Sequence, residues 1–413
     1  MRTLHLALAL AVTVPVMNFA CSATKRSSLT DDADDPSGAG PGGGGIDLTT
    51  TNSTSSGTNC TTDPNLDDDG DGFSESTGDC NDCDANSGPG AVEVPTVPGG
   101  PTSDEDCDGQ VDEVETCDQG LAPGDADPLN AAKAIELCQK SDGTSWGVVS
   151  ASYVRAGGGP ASPGLGAGLL PAFGTAGKPQ AGSSLLVLSS GNARDASAPD
   201  ACGSMTCNTS GQGAPPPGFP QDVAGCLGGT DINDDVALEV ALKAPQNAKA
   251  YSFDFAFMSF EYAEWVCTDF NDQFIALVTP PPMGAINGNI SFDSKKNPVS
   301  VNIALFDHCD PALKSTFGEF CVFGGGACPA APSPYCPNGA GFMAGTGFNE
   351  WGDSGSTGWL ATTAPVNPGE QFSIRFAIWD TGDAALDSTV LIDNFRWTAD
   401  PGNIGTTPVD DPK

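Results

Sequence analysis

The sequence predicts a mainly β protein, an antiparallel β-sandwich of the jelly-roll or lectin-like kind, preceded by a small loop-rich module. Three observations predict it. Apolar side chains alternate with period two at several places in the C-terminal half. Gly 53 and Pro 34 punctuate the chain between those runs. Two aspartate-rich frames with interleaved cysteine precede them, with too few large apolar residues for a core of their own.

The strands come first in the argument. Tyr251, Phe253, Phe255 and Phe257 alternate with Ser252, Asp254, Ala256 and Met258. Val299, Val301, Ile303 and Leu305 alternate with Ser300, Asn302 and Ala304, and Phe372, Ile374, Phe376 and Ile378 with Ser373, Arg375 and Ala377. Such alternation describes half-buried strands. Further strands are expected at Ser184 to Ser189, Val236 to Leu242, Phe274 to Thr279 and Thr389 to Trp397. Seven or more strands joined by Gly/Pro-rich loops make a sandwich, placed here at 127–400 with 401–413 as a disordered tail. A helix opens the domain, with Asp127 as cap, Pro128 in its first turn, and Ala131, Ile135 and Cys138 on one face.

The module at 60–118 is read from its carboxylates. Asp67, Asp69 and Asp71 are followed by Gly72, and Asp104, Asp106 and Asp108 by Gly109. Alternate carboxylates on a turning backbone point to one side, and glycine supplies the bend, which suits calcium and its about six to eight oxygen ligands. Counting Asp104 as position 1, Gly109 is at 6, the Gln110 carbonyl at 7, Asp112 at 9 and Glu115 at 12. In the first copy Phe73 stands where Gln110 does and Gly78 takes the place of the final Glu, so Asp79 or Asp82 would close the loop. No apolar segments of helical period flank either loop, which excludes helix-loop-helix EF-hands. The alternative is a solvated acidic linker. Against it stand the regular spacing, the cysteines Cys80, Cys83 and Cys107, and the lack of any Lys or Arg between Arg26 and Lys133. A pairing of Cys80 with Cys107 would clamp the loops together, although spacing does not fix connectivity. Oxygen donors disfavour zinc, and copper would need His or Met.

The N-terminus reads as a secretory signal at 1–20: Arg2, an apolar stretch from Leu4 to Met17, and Ala20 before Cys21. Of 15 cysteines, an odd number, Cys21 is the expected site of lipidation, leaving 14 for seven disulfides. Asn18 stands where lipoprotein signals carry Leu, so a cut after Ala23 that frees the protein into the medium is the alternative. Ser22 points to the outer membrane or cell surface. The Ser/Thr/Gly/Asp-rich segment 21–59 is expected to be a flexible tether with an average reach of about 30 to 35 Å. A net charge of −37 excludes nucleic acid as partner.

Two resemblances cover most of the chain. DDDGDGFSESTGDCNDCD, PGAVE and DEDCDGQVDE, between Asp67 and Glu113, resemble the metal-binding motif of the MopE type and thrombospondin type 3 calcium repeats, departing from the former at Asn81 and Cys83. LVLSSGNARD from Leu186, DDVALEVAL from Asp234, FMSFEYAEWVCTDFNDQF from Phe257 and GDAALDSTVLIDNF from Gly382 resemble the choice-of-anchor L domain of bacterial surface proteins, over about Asp127 to Trp397. That resemblance implies location and architecture, with attachment through varied anchors or a lipid, and no established activity. A Cys-rich insert from His308 to about Gly341 is foreign to it.

Within the sandwich, Glu261, Asn271, Asp272, Asp383, Asp387 and Asp393 lie beside apolar strands and form a possible second metal or ligand site, the alternative being loop caps. Gly352-Asp353-Ser354-Gly355 mimics a protease nucleophile loop, yet the only His after the signal is His308, and a Gly/Ser turn between Trp351 and Trp359 is the preferred reading. Glu261 with Glu264 is the other carboxylate pair to be weighed, as a glycosidase would need. The expectation is a non-catalytic surface lipoprotein: a membrane-bound lipid, a calcium-binding stalk, and a sandwich presented for adhesion or polysaccharide binding through Trp351, Trp359 and Tyr262. A structural envelope or matrix protein is the alternative, and a secreted hydrolase the more distant one.

Overall fold

The computed structural model describes residues 60–95, 102–207, 209–226, 228–303, 305–315, 336–351 and 354–409. The signal, Cys21, the tether, Gly352, Asp353 and most of the Cys-rich insert, with Cys321 and Cys328, lie outside them.

Helix α1 (Pro128–Lys133) starts as its sequence predicts, with the Asp127 carboxylate accepting from the Leu129 amide. Twelve strands follow: β1 (Gly147–Val154), β2 (Ala167–Leu170), β3 (Leu185–Ser189), β4 (Ile232–Lys243), β5 (Ala250–Ser259), β6 (Gln273–Thr279), β7 (Val299–Ser300), β8 (His308–Cys309), β9 (Gly355–Pro365), β10 (Gln371–Thr381), β11 (Ser388–Thr398) and β12 (Gly405–Pro408). They form two antiparallel sheets, one in the order β1-β4-β10-β6-β7 and one in the order β12-β9-β5-β11-β3-β2, with β8 paired to β9.

The two sheets face each other through the alternating rings. Phe253 of β5 meets Phe376 of β10 edge-on at 4.9 Å, Phe255 meets Phe274 of β6 at 4.9 Å, and Tyr251 stacks on Phe372 at 5.2 Å. Each such ring, fully buried, contributes about 1.5 to 3 kcal/mol. The expected half-burial fails for β5, which is buried on both faces. Its Ala256 and Met258 lie under an outer layer built from Phe342, Met343, Phe348 and Trp359.

Three expectations need correction. The run from Val299 to Leu305 gives only the two-residue β7, and its Val301 and Ile303 fill the core from a turn. From Gly355 onward the segment before Trp359 is the start of β9, an interior strand paired to β5 on one side and β12 on the other, while Gly352 and Asp353 lie outside the described residues. Small residues are needed there, because a Cβ on Gly355 would fall 2.4 Å from the Tyr262 ring. Gly405–Pro408, expected in a disordered tail, is an edge strand on β9.

Six disulfides join described cysteines: Cys60–Cys83, Cys80–Cys107, Cys117–Cys138, Cys202–Cys207, Cys226–Cys267 and Cys309–Cys336. The acidic segment docks on the β4–β5 turn. Buried Asn247 donates to the Asn86 and Val92 carbonyls (3.1 and 2.8 Å) and accepts from the Val92 amide (3.0 Å). Gln246 N–H donates to the Gly90 carbonyl at 2.8 Å.

Candidate functional site

The first aspartate loop turns through Gly70 and Gly72, both at positive φ. Its backbone amides take one oxygen of each carboxylate: Asp71 N–H donates to Asp69 Oδ1, Phe73 N–H to Asp71 Oδ1, Asn81 N–H to Asp79 Oδ1 and Asp68 N–H to Asp82 Oδ1. The second oxygens of Asp69, Asp79 and Asp82 are shielded from water and have no hydrogen-bond partner. One carboxylate oxygen from each of these three residues lies within 4.8 Å of the others, and Asp67, Asp69 and Asp71 make a second such group. Burial, with Asp71, Asp79 and Asp82 adding repulsion, pushes Asp69 up to about 6, while burial raises Asp71 and Asp79. Clustered carboxylates, each held by an amide through one oxygen and bare at the other, are a donor set for a hard cation, so the residues present fit calcium.

In the second loop Asp104 accepts from the Asp108 and Gly109 amides and Asp108 from the Gln110 amide and side chain, with Gly109 at positive φ. The carboxylate that joins Asp104 and Asp106 is Glu93, from the PGAVE block. Glu93 accepts from the amides of Glu105, Asp106 and Asp112, and so ties the segment before the loop to the loop itself. Glu115, expected as the closing ligand, is exposed. Burial, with Asp108, Glu113 and Glu93 nearby, pushes Asp106 up to about 6. Cys80–Cys107 bridges the two loops, and Cys83, the departure from the MopE-type pattern, pairs with Cys60.

The six sandwich residues read as one possible site fall in separate places. Glu261 and Asp272 are fully buried, as is Asp380, which is not among those six. Its signal was present: Asp380 continues the inward phase of Phe372, Ile374, Phe376 and Ile378. Burial raises all three, Asp272 to about 7. Asn271 Oδ1 accepts from the Asn302 amide. Asp383 is exposed and accepts from the Ala385 amide. Asp393 accepts from the Gln180 and Ala181 amides and contacts Glu136. Asp387 accepts from the Cys207 amide at 2.8 Å, and its burial pushes it up to about 8.

Asp387 also lines a cavity of about 270 Å³ with Phe173, Asn192, Arg194, Phe260 and Phe348. Phe260 and Phe348 stack at 4.2 Å along it. Of the expected stacking residues, Tyr262 lies under β9 against Phe306 and Trp359 is buried beneath Phe342, so neither meets solvent. The side chain of Trp351 lies outside the described residues. The Ser354 hydroxyl is buried and donates to the Phe348 carbonyl at 2.9 Å, which places it in the packing. His308 pairs with Ser356 in the β8–β9 ladder and lies 3.5 Å from Asp307.

The cavity residues Arg194, Phe260 and Asp387 fall inside the span matched by a family model: that of the choice-of-anchor L domain matches residues 182–395, more than half of the chain. The chain belongs to the choice-of-anchor L domain family. The choice-of-anchor L match runs from just before β3 to within β11, and leaves the acidic segment, α1, β1, β2 and β12 outside it. Membership points to a surface-associated, non-enzymatic protein. No curated protein matches the chain. Among the described residues no helix is long and apolar enough to cross a membrane.

Proposed function

We propose that this choice-of-anchor L protein is an exported, non-catalytic surface lipoprotein whose acidic segment binds calcium and so fixes a collar on the sandwich. The observation that carries the calcium reading is the group of unpartnered carboxylate oxygens of Asp69, Asp79 and Asp82. A dry, bare carboxylate oxygen costs about 1 to 3 kcal/mol, and three facing one another repel as well. Asp67, Asp69, Asp71, Asp79 and Asp82 would hold one ion, with Glu93, Asp104 and Asp106 supplying the second loop. Bound calcium supplies positive charge and coordination; the chain supplies the amide-fixed carboxylates and the Cys80–Cys107 clamp.

Lipidation at Cys21 supplies the anchor in this reading, and the sandwich is the outward part. The aromatic-floored cavity at Phe260 and Phe348, rimmed by Asn192 and Asp387, is a place for a sugar ring of a surface polysaccharide. The docked position of the acidic segment on Asn247 makes it a collar more than a free stalk.

Calorimetric titration of calcium into the chelator-stripped mature chain tests the central claim. Saturable heat with a higher melting temperature, both diminished in Asp69→Ala with Asp106→Ala, is the expected result; no heat at millimolar calcium, or heat and melting temperature unchanged by the two substitutions, overturns it.

A further inference from the structure

Glu261, Asp272 and Asp380 are buried within electrostatic reach of one another from three points of the chain: the turn after β5, the residue before β6, and the penultimate residue of β10. The Asp272 carboxylate is held open by two donors, the Thr381 amide at 2.8 Å and the Ser388 hydroxyl at 2.6 Å. Glu261 accepts from the Asp272 amide only at 3.5 Å. Asp380, 1 % exposed, has no hydrogen-bond partner at either carboxylate oxygen, and its polar neighbours are the Asp272 carboxylate and the Ser190 hydroxyl. Asp383 and Asp387 add negative charge around the group, and no ion pair among the described residues involves any of the three acids.

Two ways exist to neutralise such a group. A proton can join Asp380 to Asp272, but it satisfies one Asp380 oxygen and leaves the other bare and buried. A cation takes both Asp380 oxygens, and it needs no donor from a neighbourhood in which the Thr381 amide and Ser388 hydroxyl are directed at Asp272 and the Ser190 hydroxyl at the Ser388 carbonyl. The ligand atoms are oxygens throughout, which selects a hard divalent ion over zinc or copper.

We infer that Glu261, Asp272 and Asp380 bind a calcium ion inside the sandwich, tying the β5–β6 connection to the end of β10. This site is independent of the acidic loops. Enclosure makes its ion slow to exchange, and it acts as an internal rivet within the span that the family model matches.

The test counts metal. The mature chain carrying Asp69→Ala and Asp106→Ala, which silence the acidic loops, is saturated with calcium, passed through gel filtration to remove excess, and analysed by inductively coupled plasma mass spectrometry. One ion per chain is expected, falling to none when Asp380→Asn is added. Where near-ultraviolet circular dichroism shows that Asp380→Asn does not fold, Glu261→Gln takes its place. No ion in the loop-silenced chain with Asp380 intact overturns the inference, and that measurement requires no interior variant to fold. An ion that survives both interior substitutions also overturns it. If silencing the loops leaves the count unchanged from wild type, the acidic-loop reading fails instead, so the two claims fail separately.

Discussion

Glu136 offers a sharp prediction, because its proton links α1's trailing turn to β11. Burial, then the Asp393 carboxylate beside it, pushes Glu136 from 4.5 up to about 10, while its Oε2 accepts from the Asn394 amide at 2.7 Å. In the unfolded chain the same group releases its proton near its ordinary value. Above that value the folded state holds one proton more than the unfolded state, so stability is greatest at low pH and falls as pH rises towards the folded value. The limiting slope for one proton is about 1.4 kcal/mol per pH unit, or at most about 2.7 kcal/mol between pH 6 and 8. Glu136→Gln keeps a donor for Asp393 and removes the titration. Relative to wild type it should gain up to that amount across the interval, a shift of about 1 M in urea midpoint for a slope near 3 kcal/mol/M. Urea unfolding at half-unit steps from pH 5.5 to 8.5, with disulfides intact and calcium fixed, measures the difference for the Glu136–Asp393 pair and cancels the contributions of raised acids that do not touch it. Parallel wild-type and variant curves would refute the reasoning, since they require Glu136 to be ionised in the folded protein.

Two further outcomes are expected. Asn247→Ala leaves the Val92 amide and carbonyl without their partner, costs about 1 to 3 kcal/mol, and should make the acidic segment the first site of limited proteolysis; an unchanged digestion pattern would show that other contacts hold the collar. Phe253→Ala removes the ring between the sheets and should destabilise by about 3 to 5 kcal/mol in chemical denaturation, whereas a loss under 1 kcal/mol would mean the facing sheets close the space.

Much of the sandwich was legible because its inner face obeys a simple rule: rings and β-branched residues at every second position of β5 and β10. What escaped did so for local reasons. Strand β9 reads Gly355-Ser356-Thr357-Gly358 at its start, small residues imposed by the Tyr262, Phe306 and His308 rings packed over it, and small residues in a row look like a turn. Val299 to Leu305 carries strand alternation, yet only Val299 and Ser300 find a partner strand, in β6. Spacing placed the aspartate loops but not Glu93, whose role depends on the segment before the second loop folding back onto it. Asp380 is readable in phase with Ile378, but a carboxylate at the end of an apolar run looks like the end of the strand.

Strand β5 sets a length scale for everything above. It starts beside Asn247, where the collar is fastened, and ends beside Glu261 and the Phe260 cavity wall. Ten residues of extended chain span about 30 Å, several times the range over which substitutions usually interact. The two ends of this strand are therefore far enough apart that free-energy changes from Asp69→Ala and Asp380→Asn should simply add. On the two calcium proposals, either place can be loaded, emptied or redesigned without retuning its distant counterpart.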